Sequence, residues 1–200
     1  MSDHQVDKAK RTWLVASGCA GAVGGIAVAV PFVSTFTPSE RAKAAGAPVE
    51  VDIGSLQPGQ KVTVEWRGKP VWVVRRTPEQ VEALKKLDGQ LADPKSERKP
   101  DEITPMASCR NEWRSIKPEY LVVVGICTHL GCSPTDKFVA GPQPSLPEDW
   151  QGGFLCPCHG STFDMAGRVF KNKPAPDNLE VPPHTYLSDT RLLIGEAQKA

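Results

Sequence analysis

The sequence has no excess of charge of either sign and no internal repeat. Its 24 lysines and arginines nearly balance its 23 aspartates and glutamates, which gives a formal net charge of +1 at pH 7. Nucleic-acid binding needs clustered basic surface that neutralises phosphates, so this balance does not support a nucleic-acid partner. The lack of a repeat at solenoid periods argues against a solenoid. A chain of 200 residues that is 40% hydrophobic is enough for one ordinary globular domain with appendages.

The chain has one long apolar run, close to its N-terminus. No charged residue lies between Thr12 and Ser39, and residues 12–36 would extend roughly 37 Å as a helix, against roughly 30 Å of bilayer hydrocarbon. We therefore predict a transmembrane helix over 12–36 after an N-terminal tail over 1–11. The alternative is a cleaved signal peptide, which the length of the run and the proline and bulky phenylalanines near its end disfavour.

The residues on either side of the run predict its orientation. Lys8, Lys10 and Arg11 precede it, and because basic residues collect on the cytoplasmic side, we expect a cytoplasmic N-terminus and a body outside the cytoplasm. The stretch KRTWL at 10–14 resembles a twin-arginine export signal with lysine in place of the first arginine. Residues 37–48 are small and charged, typical of a flexible tether, although propensity allows a rigid helix over 39–45 equally well.

The rest of the chain reads as β-structure. Its 19 prolines and 17 glycines favour a turn-rich body. Three segments with β-branched and aromatic residues at strand spacing are expected to form a first antiparallel meander: 49–53, 61–66 and 70–75. Thr77, Pro78 and Glu79 then predict the start of a helix that runs to about Leu87.

A polar, proline-containing segment at 88–118 shows no persistent periodicity, and we interpret it as a long surface excursion with a short turn of helix and no assigned role. The apolar run YLVVVGI at 120–126 has strand length and leads directly into a cysteine cluster. Residues 153–155 lead into a second cluster in the same way, and 179–181 and 191–194 are predicted to be closing strands.

Four of the six cysteines lie in two short motifs, CTHLGC at 127–132 and CPCHGS at 156–161. The pairs Cys127-x-His129 and Cys156-x-x-His159 offer two thiolates and two imidazoles, a set that suits zinc or iron–sulfur. Zinc sites usually place paired ligands as C-x2-4-C or H-x3-5-H, and C-x-H is unusual for them. The spacing matches Rieske centres, in which two histidines replace two cysteines on one iron.

Together the two motifs resemble those of the cytochrome bc-type Rieske iron–sulfur proteins, as does the order of anchor, tether, strand-rich head and the proline-bearing stretch at 173–176. The resemblance implies an all-β, antiparallel sandwich-like head over 49–200 with a cluster-binding subdomain, loops near 127–134 and 154–176, and a small helix and loop insertion. It implies one [2Fe-2S] cluster, with Cys127 and Cys156 on the inner iron and His129 and His159 on the outer one.

The resemblance also implies roles for residues around the ligands. Cys132 and Cys158 would form a disulfide between the loops, and Leu130 and Gly131 would belong to an apolar docking tip. Ser161 would tune the reduction potential through a hydrogen bond. Many high-potential relatives have a tyrosine where this chain has Phe163, so we expect a lower potential here.

The function implied is that of the electron-transfer, catalytic subunit of a proton-translocating quinol:cytochrome c reductase. His159, with His129, would contact quinol and take up a proton with the electron, which then passes to cytochrome c1. The implied partners are cytochrome b and cytochrome c1 in a dimeric complex, and the implied location is the bacterial inner membrane, with the head in the periplasm.

Two alternatives stay open from the sequence. One is the Rieske subunit of another exported redox enzyme, similar to the small subunit of arsenite oxidase, and the other is a structural zinc module without a redox role. Soluble Rieske ferredoxins and oxygenase components share the ligand pattern but lack the extra cysteine pair. Cys19 and Cys109 are interpreted as ordinary thiols, and His4 and His184 as structural or solvated.

Overall fold

The computed structural model describes residues 7–197. The chain forms two compact units, an N-terminal one that ends at Ala44 and a larger one that begins at Ala45. His4 and the first six residues of the predicted tail lie outside the described residues.

The N-terminal unit contains the apolar helix predicted from the sequence. Helix α1 runs from Lys8 to Ser34 and buries none of its residues, and it is long and apolar enough to cross a membrane. It begins earlier than Thr12 because the Asp7 carboxylate caps it, accepting from the backbone N–H groups of Ala9 and Lys10. A second short helix, α2 at Glu40–Ala45, occupies part of the predicted tether, so this segment has the helical form that the sequence left open.

The larger unit is built from three three-stranded antiparallel sheets, ordered β1-β9-β8, β2-β3-β4 and β5-β6-β7. Its strands are β1 Val49–Asp52, β2 Lys61–Trp66, β3 Lys69–Arg75, β4 Tyr120–Val124, β5 Thr135–Lys137, β6 Gly153–Leu155, β7 Thr162–Asp164, β8 His184–Tyr186 and β9 Arg191–Ile194. Between them lie helices α3 Pro78–Leu84 and α4 Pro100–Ile103 and single 3-10 turns at Asp88–Gln90 and Ala107–Cys109.

The predicted first meander is only half right. Strands β2 and β3 form a hairpin as expected, joined by Arg67 and Gly68, which both have positive φ (52° and 72°), as a two-residue hairpin turn requires. Strand β1 does not pair with β2. It pairs with β9 near the end of the chain, because its inward-facing Val51 completes a core that also contains Leu192 of β9.

Helix α3 begins as predicted and ends earlier. Thr77 and Gln80 form a capping box at its start. The helix stops at Leu84 rather than near Leu87, since the next backbone bonds are of the i to i+3 type and Leu87 is buried in a small separate core with Trp150.

The segment at 88–118 is not a surface excursion, and that prediction is wrong. Leu91, Thr104, Cys109 and Arg114 within it are almost fully buried. Its polar groups enter the interior because backbone and hydroxyl oxygens accept their hydrogen bonds, as the Arg114 guanidinium shows by binding the Leu179 carbonyl at 2.7 Å. The polar composition of this segment therefore led to a wrong prediction of its burial.

Strand β4 lies between the two main cores of this unit, and this position explains why its sequence is a continuous apolar run. All five of its residues are buried. Val122 and Val124 face one core together with Val51 and Ile194. Leu121 and Val123 face the other core, which contains both predicted thiol ligands. Its members include Trp72, Cys127, Phe154, Cys156, Phe163, Met165 and Leu179. The first cysteine motif thus begins shortly after a strand that is buried along its whole length.

Candidate metal centre

The two cysteine motifs fold into loops with the same backbone frame. In the first, the Cys127 N–H donates to the Cys132 carbonyl (2.8 Å) and the Gly131 N–H donates to the Cys127 carbonyl (3.0 Å). In the second, Cys156 and Ser161 make the equivalent bond (2.7 Å), and the Gly160 N–H donates to the Cys156 carbonyl (3.0 Å). Each loop therefore presents its first cysteine from the same position.

A glycine closes each frame for a conformational reason. Gly131 and Gly160 have φ of +82° and +73°, in the left-handed region that side chains rarely adopt. Sequence reasoning assigned Gly131 to the docking tip and gave Gly160 no role. Their equal spacing from Cys127 and Cys156 is the signal that could have revealed the shared frame.

The four predicted ligands come together as two inner thiols and two outer imidazoles. Cys127 and Cys156 are each 2% exposed, and their thiols are within hydrogen-bonding contact. Burial is the main cause that raises the pKa of the Cys127 thiol. His129 is half-buried and His159 exposed, and their rings lie edge to face with centroids 4.8 Å apart.

The remaining two cysteines of the motifs form the predicted disulfide. Cys132 and Cys158 are bonded with their Cα atoms 6.6 Å apart, which confirms the pairing that the family resemblance implied. The sulfurs of Cys132, Cys156 and Cys158 all lie within 4.8 Å of one another, but two of them are consumed by the disulfide. The donors left for a metal at this place are the two thiols and the two imidazoles.

This donor set fits an iron–sulfur cluster of the Rieske type. Two soft sulfur donors face inward and two nitrogen donors face outward, as expected when two histidines hold one iron and two cysteines the other. The arrangement is two-sided, whereas a single tetrahedral zinc ion would need all four donors to converge on one point.

Comparison with known proteins agrees with this donor set. Residues 90–183 match the family model described as the Rieske [2Fe-2S] domain. The ubiquinol-cytochrome c reductase iron-sulfur subunit of Allochromatium vinosum is 57% identical over 98% of this chain and 93% of its own. The chain belongs to this Rieske family. The subunit of the same description from Bradyrhizobium diazoefficiens is 42% identical over 90% of both chains.

Among solved structures, a chain of "Hyperthermophilic respiratory Complex III" is 27% identical, with a TM-score of 0.46, and the match covers 89% of this chain and 97% of that one. The assignment rests on the sequence relatives. It confirms the predicted fold class, a mostly β Rieske head with an apolar N-terminal helix, and the predicted cofactor, one [2Fe-2S] cluster.

Ser161 of the Rieske domain lies directly beside the inner sulfurs. Its hydroxyl donates to the Cys127 sulfur, which lowers the pKa of that thiol in opposition to burial. The same hydroxyl oxygen accepts from the Ala175 N–H at 3.0 Å. Because the backbone N–H donates to the hydroxyl oxygen, the hydroxyl hydrogen stays available to donate to the sulfur.

Phe163 is fully buried in the core that contains Cys127 and Cys156. Its ring carries no hydroxyl, so it offers the cluster sulfurs no hydrogen bond. Leu130, by contrast, is 72% exposed and Gly131 is exposed beside it, so the first loop ends in an uncovered apolar side chain next to the imidazoles.

Several supports of the loops were missed from the sequence. The Thr128 hydroxyl donates to the Asp177 carbonyl at 2.6 Å, and the Asp177 carboxylate pairs with Lys99 at 3.1 Å. Asn178 accepts from the Val169 N–H and donates to the Asp93 carbonyl, both in the interior. Lys99 and Asp93 belong to the segment once interpreted as a surface excursion, and no motif in that segment signalled this role.

Proposed function

We propose that the chain is the electron-transfer subunit of a quinol:cytochrome c reductase and that it works as a catalytic part of that complex. The observation that carries this is the site itself: two imidazoles beside an exposed leucine, above two buried thiols and a disulfide. Two relatives that match nearly the whole chain are ubiquinol-cytochrome c reductase iron-sulfur subunits, and they supply the reaction class.

The ligand set belongs to this proposal. Cys127 and Cys156 would hold the inner iron, and His129 and His159 the outer one. Their burial supports this order, since the thiols are enclosed and the imidazoles reach the surface. When bound, the cluster supplies a one-electron acceptor whose potential, in the Rieske class, lies roughly between −150 and +300 mV.

His159 is the residue best placed to meet quinol. It is exposed, while His129 is half-buried, and an imidazole that binds metal through one nitrogen can hold a proton on the other. Quinol oxidation releases protons as well as electrons. His159 would therefore accept the hydrogen bond of the quinol hydroxyl and take up its proton as the electron enters the centre.

Leu130 and Gly131 would seat this histidine against a partner. Leu130 is an exposed apolar side chain in the same loop as His129, and covering it with a partner would be favourable because that removes apolar surface from water. We propose cytochrome b, where quinol binds, as the partner at this tip and cytochrome c1 as the electron acceptor, within a dimeric complex.

The N-terminal unit would anchor the protein in the bacterial inner membrane. Helix α1 fits a single span by length and composition. We propose that residues 12–36 cross the hydrocarbon, that 1–11 face the cytoplasm and that 37–48 tether a periplasmic head formed by 49–200. Lys8, Lys10 and Arg11 before the span support this orientation.

Purification from native membranes tests the proposal. The protein is expected to co-purify with b-type and c-type haem and to show the electron paramagnetic resonance signal of a reduced Rieske cluster. Absence of both haems would contradict membership in such a complex. Bound zinc without a resonance signal would contradict the redox function altogether.

A pair of leucine variants tests the docking tip. Leu130→Ser is expected to slow quinol oxidation several-fold while the reduction potential stays unchanged, because the side chain contacts the partner and not the sulfurs. Leu187→Ser changes another exposed leucine, outside the cluster loops, and is the matched control. Equal rates in the two variants would remove Leu130 from the docking surface.

A further inference from the structure

Three arginines are buried in the head, and all three converge on one turn. Arg76, Arg114 and Arg168 are each among the largest fully buried side chains. The turn begins at Asp164, the last residue of β7, and ends at Arg168. Arg168 is part of it, and Arg76 and Arg114 reach it from outside the cysteine motifs.

Only one of the three is paired with a buried carboxylate through its guanidinium. Arg168 Nε donates to Asp164 Oδ2 at 2.8 Å, and both side chains are fully buried. The second carboxylate that it contacts, Asp88, is half exposed. This ion pair occupies Asp164, so the turn holds one neutralised charge.

Arg76 and Arg114 are bound by uncharged oxygens instead. Arg76 Nη1 donates to the carbonyls of Trp113 (2.9 Å) and Met165 (3.1 Å), and its Nη2 donates to Ser115 Oγ (2.7 Å). Burial lowers the pKa of Arg76 to about 9 and that of Arg114 to about 10. Both guanidiniums are therefore still cationic at pH 7, and each brings a fixed positive charge into the interior.

Arg114 also joins the two stretches of chain that support the cluster loops. Its Nη1 donates to the carbonyls of Ala166 (3.0 Å) and Gly167 (3.2 Å), in the turn after the second loop. Its Nη2 donates to the Leu179 carbonyl at 2.7 Å, two residues after the Asp177 carbonyl that holds the first loop. One side chain thus bridges the backbone behind both loops.

The backbone of Arg114 is strained in support of this placement. Its φ is +50°, in the left-handed region that a long side chain seldom adopts. The surrounding structure maintains the strain, because five acceptors bind this guanidinium: Ala166, Gly167, Leu179, Ile103 and Thr104.

We propose that Arg76 and Arg114 are positioning residues of the Rieske centre. Together they form a buried pair of cations that holds the 164–168 turn and raises the reduction potential of the cluster. Reduction adds negative charge to the cluster, and a fixed positive charge in a poorly screened interior stabilises that state. This effect requires a cluster bound at the proposed ligands, but it does not depend on which electron donor reduces the cluster.

The expected change in reduction potential depends on the distance between the arginines and the cluster, which the length of the intervening chain limits. From Ser161, whose hydroxyl contacts the Cys127 sulfur, to Ala166 the backbone extends at most about 18 Å. A unit charge about 20 Å away, at an effective dielectric constant of about 20, changes the equilibrium constant for reduction about fourfold. For a one-electron couple that is about 35 mV.

The test is a redox titration of the full-length, cluster-bearing protein in detergent. Arg114→Gln and Arg76→Gln are each expected to lower the potential, with an equilibrium constant for reduction that falls about fourfold. Arg114→Lys keeps the charge and should lower the potential clearly less. Arg191→Gln, which removes an exposed strand arginine paired with Glu50, is the matched control and should leave the potential unchanged.

Two outcomes would overturn the proposal. One is an unchanged potential in the glutamine variants with the cluster still bound, and the other is an equal fall in Arg114→Lys and Arg114→Gln. If Arg114→Gln does not fold, Arg76→Gln against Arg76→Lys makes the same comparison. Thr104→Val supplies a milder variant, since it removes one acceptor of Arg114 (2.9 Å) and keeps the charge, so its potential should match that of the parent protein.

Discussion

The Thr128 hydroxyl and the Asp177 carbonyl, 49 residues apart in sequence, are joined by a 2.6 Å hydrogen bond. Thr128 lies between two predicted ligands, Cys127 and His129. Asp177 directly follows the proline-bearing stretch at 173–176, in which the Ala175 N–H donates to Ser161 Oγ. The bond therefore fastens the first cluster loop to the segment that also orients the serine at the inner sulfurs.

Removing this bond should loosen the loop. Thr128→Val keeps the shape of the side chain and leaves the partly buried carbonyl without its donor, which is expected to cost about 1 to 2 kcal/mol of unfolding free energy. Denaturant unfolding of the full-length protein in detergent measures it. Thr135→Val, which removes a more exposed bond to the Leu155 carbonyl, should cost less. An equal cost in both would contradict a special role for Thr128.

Gly125 is required for a steric reason. A Cβ there would lie 2.1 to 2.5 Å from ring atoms of Trp72, whose ring stacks on Phe154 with centroids 5.1 Å apart. Gly125→Ala is therefore expected to displace Trp72 and destabilise the fold by about 1 to 3 kcal/mol.

Gly89→Ala is the control for this change, because a Cβ at Gly89 has open space around it. Thermal unfolding and the visible absorbance of the cluster would be followed together. A Gly125→Ala protein with the stability of the control would show that Trp72 adjusts freely, against the expectation from a close-packed core.

Phe163→Tyr is expected to raise the reduction potential. The ring lies in the core that contains both inner cysteines, and a hydroxyl that donates to a ligand sulfur stabilises the reduced, more negative state. If the bond is stronger by about 1 kcal/mol after reduction, the potential rises by roughly 40 mV. Phe170→Tyr, in a separate core, is the control. A redox titration without a rise for Phe163→Tyr would refute this account.

His184 makes stability depend on pH. Burial lowers its pKa to about 4, its Nδ1 donates to the Pro182 carbonyl at 2.9 Å, and its buried Nε2 has no partner among the described residues. The unfolded chain binds this proton near pH 6.5. Stability is therefore fully present above that pH and falls as pH drops toward 4, by about 2 kcal/mol between pH 8 and pH 5.

His184→Asn tests this, because the amide can keep the donor to Pro182 while removing the titration. Unfolding free energies at pH 8 and pH 5 should differ less in the variant than in the parent protein, by about the same 2 kcal/mol. Parallel pH dependences would show that the histidine is not the group responsible.

What the sequence could predict was local, and what it could not was long-range. Strand β4 and the start of helix α3 follow from patterns within a few residues. The disulfide of Cys132 and Cys158 joins two loops 26 residues apart and is predicted only through the family resemblance. The pairing of β1 with β9 joins opposite ends of the head, and alternation along β1 says nothing about its partner. The ligand set itself remains a prediction, although the structure brings its four members together.

The segment at 88–118 failed for a different reason. Polar composition usually means solvent, yet Arg114 is bound by backbone oxygens that no side-chain pattern displays. A buried arginine of this kind is visible only once the folded backbone shows where its acceptors lie. Arg76, beside the end of β3, escaped notice in the same way.

The closeness of Cys156 to the disulfide has a consequence for the order of assembly. Its sulfur lies within 4.8 Å of those of Cys132 and Cys158, so an unligated Cys156 thiolate could attack the bond and exchange partners with it. In the proposed ligand set, iron bound to Cys156 would remove that nucleophile. Loading the cluster in a reducing compartment and oxidising the remaining pair afterwards gives one product, whereas the reverse order leaves the sulfurs free to scramble. Export of the domain already folded and loaded would ensure that the cluster is inserted before the disulfide forms.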